Sequence, residues 1–279
     1  RYKSAVEVYT EKGMSEDARA MADSLLDDTY ERFVAALADG RKLSIGEVEA
    51  AIDTGAVRNQ QLESLGLIDG ESHLDELLSR LDAPILWHGD YASVDPERIG
   101  FDADIEIALI YGTGAVVQGG DSRSLLSGES VFASATISRA IVGAAEDPNI
   151  AAIILRIDSP GGSALASEII WRAISRAKEA GKPVIVSMSD VAASGGYYVA
   201  SAADVIVADP GTLTGSIGVF AIRPVLGGLF DKLDIGIESV TRGRHADFLL
   251  SGEKLSPAAL ARLQTSVSDT YQLFLSRVA

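Results

Sequence analysis

Hydrophobic positions change their spacing once along this chain. In the first part they recur at helical intervals. Ala18, Met21, Ala22 and Leu25, followed by Phe33 and Leu37, predict a long helix over residues 14–37. Ser15 serves as its cap and Asp17 lies in its first turn. Shorter helices are expected over residues 45–52, entered at Ser44, over 59–65, stopped by Gly66, and over 73–81. Residues 82–100 are polar, contain Pro84 and Pro96, and read as a linker. From residue 105 the pattern alternates. Strands are expected over 105–110, 150–157, 184–188 and 205–208, with helices over 134–146, 164–180, 197–203 and from 257 to the end. Such alternation predicts an α/β fold, a parallel sheet covered by helices.

One six-residue pattern occurs twice. Asp28-Thr29-Tyr30-Glu31-Arg32-Phe33 returns as Asp269-Thr270-Tyr271-Gln272-Leu273-Phe274, and Met14-Ser15 is answered by Leu255-Ser256 at the same interval. The echo is read as two homologous halves. Residues 1–95 are then the C-terminal part of a first half, and residues 96–279 are a second half cut short at its C-terminus, because the counterpart of residues 40–81 is missing.

Composition narrows the functions. The chain has 279 residues, is 47% hydrophobic and carries a net charge of −16, which argues against nucleic acid or an anionic membrane surface as partner. It has no cysteine, so disulfides, thiol nucleophiles and cysteine metal sites are excluded. His73, His88 and His245 have no metal-ligand spacing. No apolar run reaches the roughly 18 residues that span a bilayer, and no signal-peptide pattern is present. The chain begins at Arg1 rather than Met and reads as a fragment or processed product.

The candidate chemistry sits at two strand-to-helix turns. Ser194 lies in Ala192-Ala193-Ser194-Gly195-Gly196-Tyr197-Tyr198, where neighbouring Ala and Gly leave its hydroxyl unshielded. A serine there points out of a sheet toward N–H groups that favour developing negative charge, the layout of a nucleophile. An ordinary N-cap serine in a tight Gly-rich turn reads the same. About 30 residues earlier, another expected strand ends in Asp158-Ser159-Pro160-Gly161-Gly162-Ser163. Adjacent glycines let the backbone turn its N–H groups outward, and with Gly195 they suit an oxyanion hole. The alternative is a helix start capped by Ser163.

Ser159-Pro160-Gly161-Gly162-Ser163, Ala192 to Tyr198, and Thr212-Leu213-Thr214-Gly215-Ser216-Ile217-Gly218 occur in an order and spacing that resemble the signal peptide peptidase A (protease IV) family. These are serine–lysine peptidases of bacteria and plastids with a fold similar to Clp protease and the crotonases. The resemblance covers most of the chain, matches the long, two-half type, and implies Ser194 as nucleophile. N–H groups at Gly161 and Gly195 would hold the oxyanion, and Gly162, Thr214 and Ser216 would line the site, one hydroxyl orienting a lysine amine.

A serine nucleophile needs a base at neutral pH. His245, with Asp247 nearby, is the only histidine of the second half. Short members of the family place a lysine in a Gly-X-X-Lys-Asp-like loop, but the loop here reads Arg242-Gly243-Arg244-His245-Ala246-Asp247, with Ala246 at the lysine position. Long members draw the base from the first half, in a segment like Lys-Tyr-Lys-Thr-Ala-Val-Glu. This chain opens Arg1-Tyr2-Lys3-Ser4-Ala5-Val6-Glu7, which matches Lys3 to the base. A lysine base must be neutral at working pH, which burial achieves. Lys254 is the rival. Tyr197 and Tyr198 read as core residues, Asp158 and Asp190 as turn or cap residues.

By resemblance the reaction is acyl transfer to serine followed by hydrolysis, with no metal or organic cofactor. The substrates are apolar peptides such as cleaved signal peptides. The family also implies a homo-oligomer, a tetramer, on the periplasmic face of a bacterial inner membrane or on a plastid membrane. A crotonase-like acyl-CoA enzyme and a non-catalytic paralogue are the competing readings.

Overall fold

A computed structural model describes residues 3–81, 83–100, 105–120, 128, 130–236, 238, 240, 242 and 254–279. The chain divides into two compact units, Arg1–Ala103 and Asp104–Ala279.

The first unit is helical. It contains α1 (Glu7–Thr10), α2 (Glu16–Arg41), α3 (Ile45–Thr54), α4 (Asn59–Ser64), α5 (Leu74–Ser79) and α6 (His88–Ala92), then a 3₁₀ turn at Pro96–Ile99. Residues 82–100, expected as a linker, thus hold two short helical segments. Pro96, whose fixed φ suits a first helical position, opens the 3₁₀ turn. Ser15 accepts the Ala18 N–H at the start of α2, and Ser44 forms a reciprocal capping box with Glu47 on α3. The core is small: Val34, Ala38 and Val48, flanked by Leu37, Leu43 and Ile52. Met21, Leu25 and Phe33, whose spacing predicts the helix, are exposed on it. Glu7 accepts both the Ser15 N–H (3.1 Å) and its hydroxyl (2.8 Å), which ties α1 to the cap of α2.

The second unit is the α/β fold that the alternation predicts. Its main strands are β1 (Glu106–Thr113), β4 (Ile150–Ser159), β5 (Val184–Ala193), β6 (Val205–Val207) and β7 (Leu213–Gly215). All pair in parallel, in the order β1-β4-β5-β6, and β7 also pairs with β5. A second, two-stranded sheet joins β2 (Val116–Val117) to β3 (Phe132–Ala133). The helices are α7 (Ser134–Glu146), α8 (Ala164–Glu179), α9 (Gly195–Ala200), α10 (Gly227–Lys232) and α11 (Pro257–Val278).

Period-two alternation builds the core. Ile153, Leu155 and Ile157 on β4, with Val184, Val186 and Met188 on β5, are buried. Ile137, Ile141 and Ala144 of α7 and Ile170, Ala173, Ile174 and Ala177 of α8 complete the same cluster at helical spacing. Each large aliphatic side chain buried there contributes about 1.5–3 kcal/mol. Two strands run further than expected: β4 to Ser159 and β5 to Ala193, directly into the two turns of interest. β5 exchanges partners on the way. Ile185, Val186 and Ser187 pair with β6, whereas Val191, Ala192 and Ala193 pair with β7.

Candidate active site

The β4–α8 and β5–α9 turns lie side by side. Ser159 pairs with Ala192 across the ends of β4 and β5. Beyond them, Gly161 turns with φ of 100°, a conformation that favours glycine. A Cβ added to Gly161 would lie 2.7 Å from the Ser194 Cβ and 2.6 Å from the Gly195 nitrogen. A Cβ on Gly195 would lie 2.6 Å from the Ser167 hydroxyl of α8. The two glycines are therefore what lets the turns touch. Val116 of β2 holds the first turn from the other side. Its N–H donates to the Gly161 carbonyl (2.9 Å), and its carbonyl accepts the Ser163 N–H (2.8 Å).

Ser194 begins α9 with φ 51° and ψ −114°, and its side chain makes no capping bond. A non-glycine residue held there costs on the order of 1–3 kcal/mol and persists only where its surroundings over-determine it. They do so here. The Ser194 N–H donates to the Gly215 carbonyl at the end of β7 (2.9 Å), and the Ser194 carbonyl accepts the Tyr198 N–H (2.8 Å). Ser163, by contrast, is an ordinary cap, accepting the Ala166 N–H.

The N–H groups expected to hold an oxyanion differ in state. Gly195 is the first residue of α9, so its N–H has no partner within the helix. The Gly161 N–H donates to the Ser159 hydroxyl at 3.2 Å. Ser159 is wholly buried, and the sequence reading missed it. Its signals were its place at the head of the Ser159-Pro160-Gly161-Gly162 motif and, in the structure, an inward-facing position at the end of β4. Because α9 spans only six residues, stabilisation of an anion at its start rests on individual N–H groups more than on a helix dipole.

The remaining candidates are placed as follows. Thr214 donates its hydroxyl to the Ala192 carbonyl (2.8 Å), so it stitches β7 to β5 two residues before Ser194. Ser216 is exposed, with φ of 50°. Gly162 lies against Val116, whose carbonyl oxygen would be 2.3 Å from an added Cβ. Tyr198 is buried and Tyr197 packs against the core, as expected of residues that are not catalysts. Lys3 belongs to the first unit and is exposed. Lys254, in the second unit, is also exposed. Gly243, His245, Ala246 and Asp247 lie outside the described residues. Among the described residues no group of His, Cys, Asp or Glu could hold a metal ion, and no helix is long and apolar enough to cross a membrane.

Known proteins resemble the chain along its whole length. Over 290 residues the chain is 34% identical to the chloroplastic serine protease SPPA of Arabidopsis thaliana, covering all of this chain and 42% of that protein. It is 32% identical to protease 4 of Haemophilus influenzae, covering 97% of this chain and 45% of that one. The chain thus spans less than half the length of these curated relatives. Among solved structures, the 1510-N membrane-bound stomatin-specific protease is 28% identical, with 45% of this chain and 51% of that chain covered at a TM-score of 0.31. The family model of peptidase family S49 matches residues 1–85 and 176–279. The chain belongs to peptidase family S49.

Proposed function

We propose that this chain carries the catalytic serine and the general base of a serine peptidase. The observation that carries the reading is Ser194, strained, uncapped and pressed against Gly161. In the proposed reaction the Ser194 Oγ attacks the peptide carbonyl while Lys3 takes its proton. Lys3 then gives that proton to the leaving amine, and an acyl-serine remains. A water, losing its proton to Lys3, attacks the acyl group, and Ser194 leaves with that proton restored. The Gly195 N–H and the N–H of Gly161 stabilise the oxyanion in both halves of the cycle; losing one such donor costs on the order of 100- to 1,000-fold in rate.

Lys3 is assigned because its segment matches the base of long family members, while Ala246 stands where short members have lysine. The two helices that carry the repeated Asp-Thr-Tyr pattern also begin alike. Ser15 and Ser256 each accept the N–H three residues on, from Ala18 and Ala259, and each of these alanines is 8% exposed. Apolar peptides, including remnants of signal peptides, are the proposed substrates, a homo-oligomer the proposed assembly, and a bacterial or plastid membrane the proposed location.

The deciding experiment is labelling of the intact protein with a biotinylated fluorophosphonate, followed by peptide mapping. Label on Ser194, lost in Ser194→Ala, is expected. An unlabelled but folded protein would overturn the reading and favour crotonase-like chemistry, which needs no serine nucleophile.

A further inference from the structure

A second cluster lies behind the Ser194 turn and joins three helices. The Glu168 carboxylate of α8 accepts the Tyr198 hydroxyl of α9. It also accepts both arms of Arg277 from the last turn of α11, Nη2 at 2.6 Å and Nε at 3.2 Å. The Arg277 guanidinium lies 4.0 Å over the Trp171 ring of α8, and the Phe274 ring of α11 lies 4.8 Å from that of Tyr198. Arg277 thus holds both Glu168 and Trp171 of α8, three residues apart on one face, while Phe274, one turn earlier on α11, packs on Tyr198 of α9.

We infer that Glu168, Tyr198 and Arg277 form a clamp that positions Ser194 and the Gly195 N–H, so that Arg277 acts on the reaction through α9 without touching substrate. The inference rests on the reading of Ser194 as nucleophile. Three observations lead to it. First, α8 and α9 are the helices that follow the two site turns, and they meet near the start of α8. Ser167 fills the space a Gly195 Cβ would need, and the next residue, Glu168, holds Tyr198. Second, the clamp reaches Ser194 through backbone, because the Tyr198 N–H donates to the Ser194 carbonyl. In a helix of six residues, turning Tyr198 turns Ser194. Third, the strained φ of Ser194 needs neighbours with one arrangement only. A partly buried, hydrogen-bonded ion pair is a poor route to stability compared with apolar contact, but its forked geometry admits one orientation. Burial, and then the Glu168 carboxylate, push the Tyr198 hydroxyl up to about 12, so it stays a proton donor at any working pH.

The test uses the intact protein and the fluorophosphonate probe, separating probe affinity from the rate of acylation at saturation. Tyr198→Phe removes one hydroxyl and keeps the ring against Phe274. It should lower the acylation rate about tenfold with probe affinity unchanged. Arg277→Ala should do at least as much, and Arg277→Lys should recover only part, since an ammonium cannot fork to both oxygens. The double variant should be little worse than Arg277→Ala, because the three groups act as a unit. Amide hydrogen exchange should speed up in α9 and not in α7. Variants that lose thermal stability while acylating at the wild-type rate, with α9 protected as before, would make the cluster a plain anchor for α11 and end the proposal. Absence of label on wild-type Ser194 would instead sink the peptidase reading, while the exchange arm would still decide whether the clamp holds α9.

Discussion

The β4–α8 turn and the β5–α9 turn start from the same parts: a buried parallel strand, small residues, a serine, a helix. They use the serine in opposite ways. Ser163 sits in extended backbone and gives its oxygen to the Ala166 N–H, so its hydroxyl is spent on the helix it begins. Ser194 sits at φ 51° and spends its hydroxyl on no cap. The capping bond that Ser194 forgoes is worth about 1 kcal/mol, and the backbone strain adds a cost of similar size. Bearing both costs at one turn and neither at the other is what the proposed nucleophile role of Ser194 would account for.

The largest expected effect tests that division outright. Ser194→Ala should lower turnover by more than about 1,000-fold, measured by peptide hydrolysis with the intact protein. Lys3→Ala should do the same, and the pair should be little worse than either. Full turnover in a folded Lys3→Ala protein would return Lys254 or His245 to the role. Next comes the contact between the turns. Gly161→Ala puts a methyl 2.6 Å from the Gly195 nitrogen in a backbone conformation alanine avoids. It should cost on the order of 100-fold in turnover and about 1–3 kcal/mol in stability, read by kinetics and denaturant melts. Wild-type turnover in this variant would mean that the two turns need not touch for catalysis.

Ser163→Ala should behave in the opposite sense, losing about 1 kcal/mol of stability with turnover within about twofold of wild type. A drop in activity as large as that of Gly161→Ala would erase the distinction between the two serines. The smallest effect is the most specific. Ser194→Gly, which relaxes the positive φ, should be about 1 kcal/mol more stable than Ser194→Ala, both being inactive. Equal stabilities would show that Ser194 carries no strain.

The α/β part was legible because its strands and helices each carry one periodicity. The helices at Ser134–Glu146 and Ala164–Glu179 lie where the spacing of Ile137, Ile141, Ile170 and Ile174 puts them. β2, β3 and β7 were not read as strands. They have two or three residues each, too few for a period to show, and pairing with distant segments makes them strands. α2 carries apolar residues at helical spacing, yet Met21, Leu25 and Phe33 are exposed. Periodicity names a face and not what covers it. In the candidate site, the glycines and Ser194 were legible as a motif. The Glu168–Arg277 contact, which joins residues 109 positions apart, was not, because no local pattern encodes a bond across that interval, and the role of the Ser159 hydroxyl was not, because it depends on the turn geometry that brings the Gly161 N–H to it.

The hydrogen bond from Gly161 to Ser159 has a consequence for selectivity. In the resting protein that N–H already has an acceptor, a neutral hydroxyl at 3.2 Å. For the proposed acyl transfer, a substrate must displace it. An uncharged amide oxygen offers nearly the same interaction, so the exchange is close to thermoneutral and adds little to binding. Once the carbon becomes tetrahedral and its oxygen bears a full charge, the same N–H makes a bond roughly twice as strong. In that proposed reaction the buried hydroxyl would act as a reference against which the oxygen is weighed, so the gain would arrive only as charge develops and would go to kcat rather than to KM.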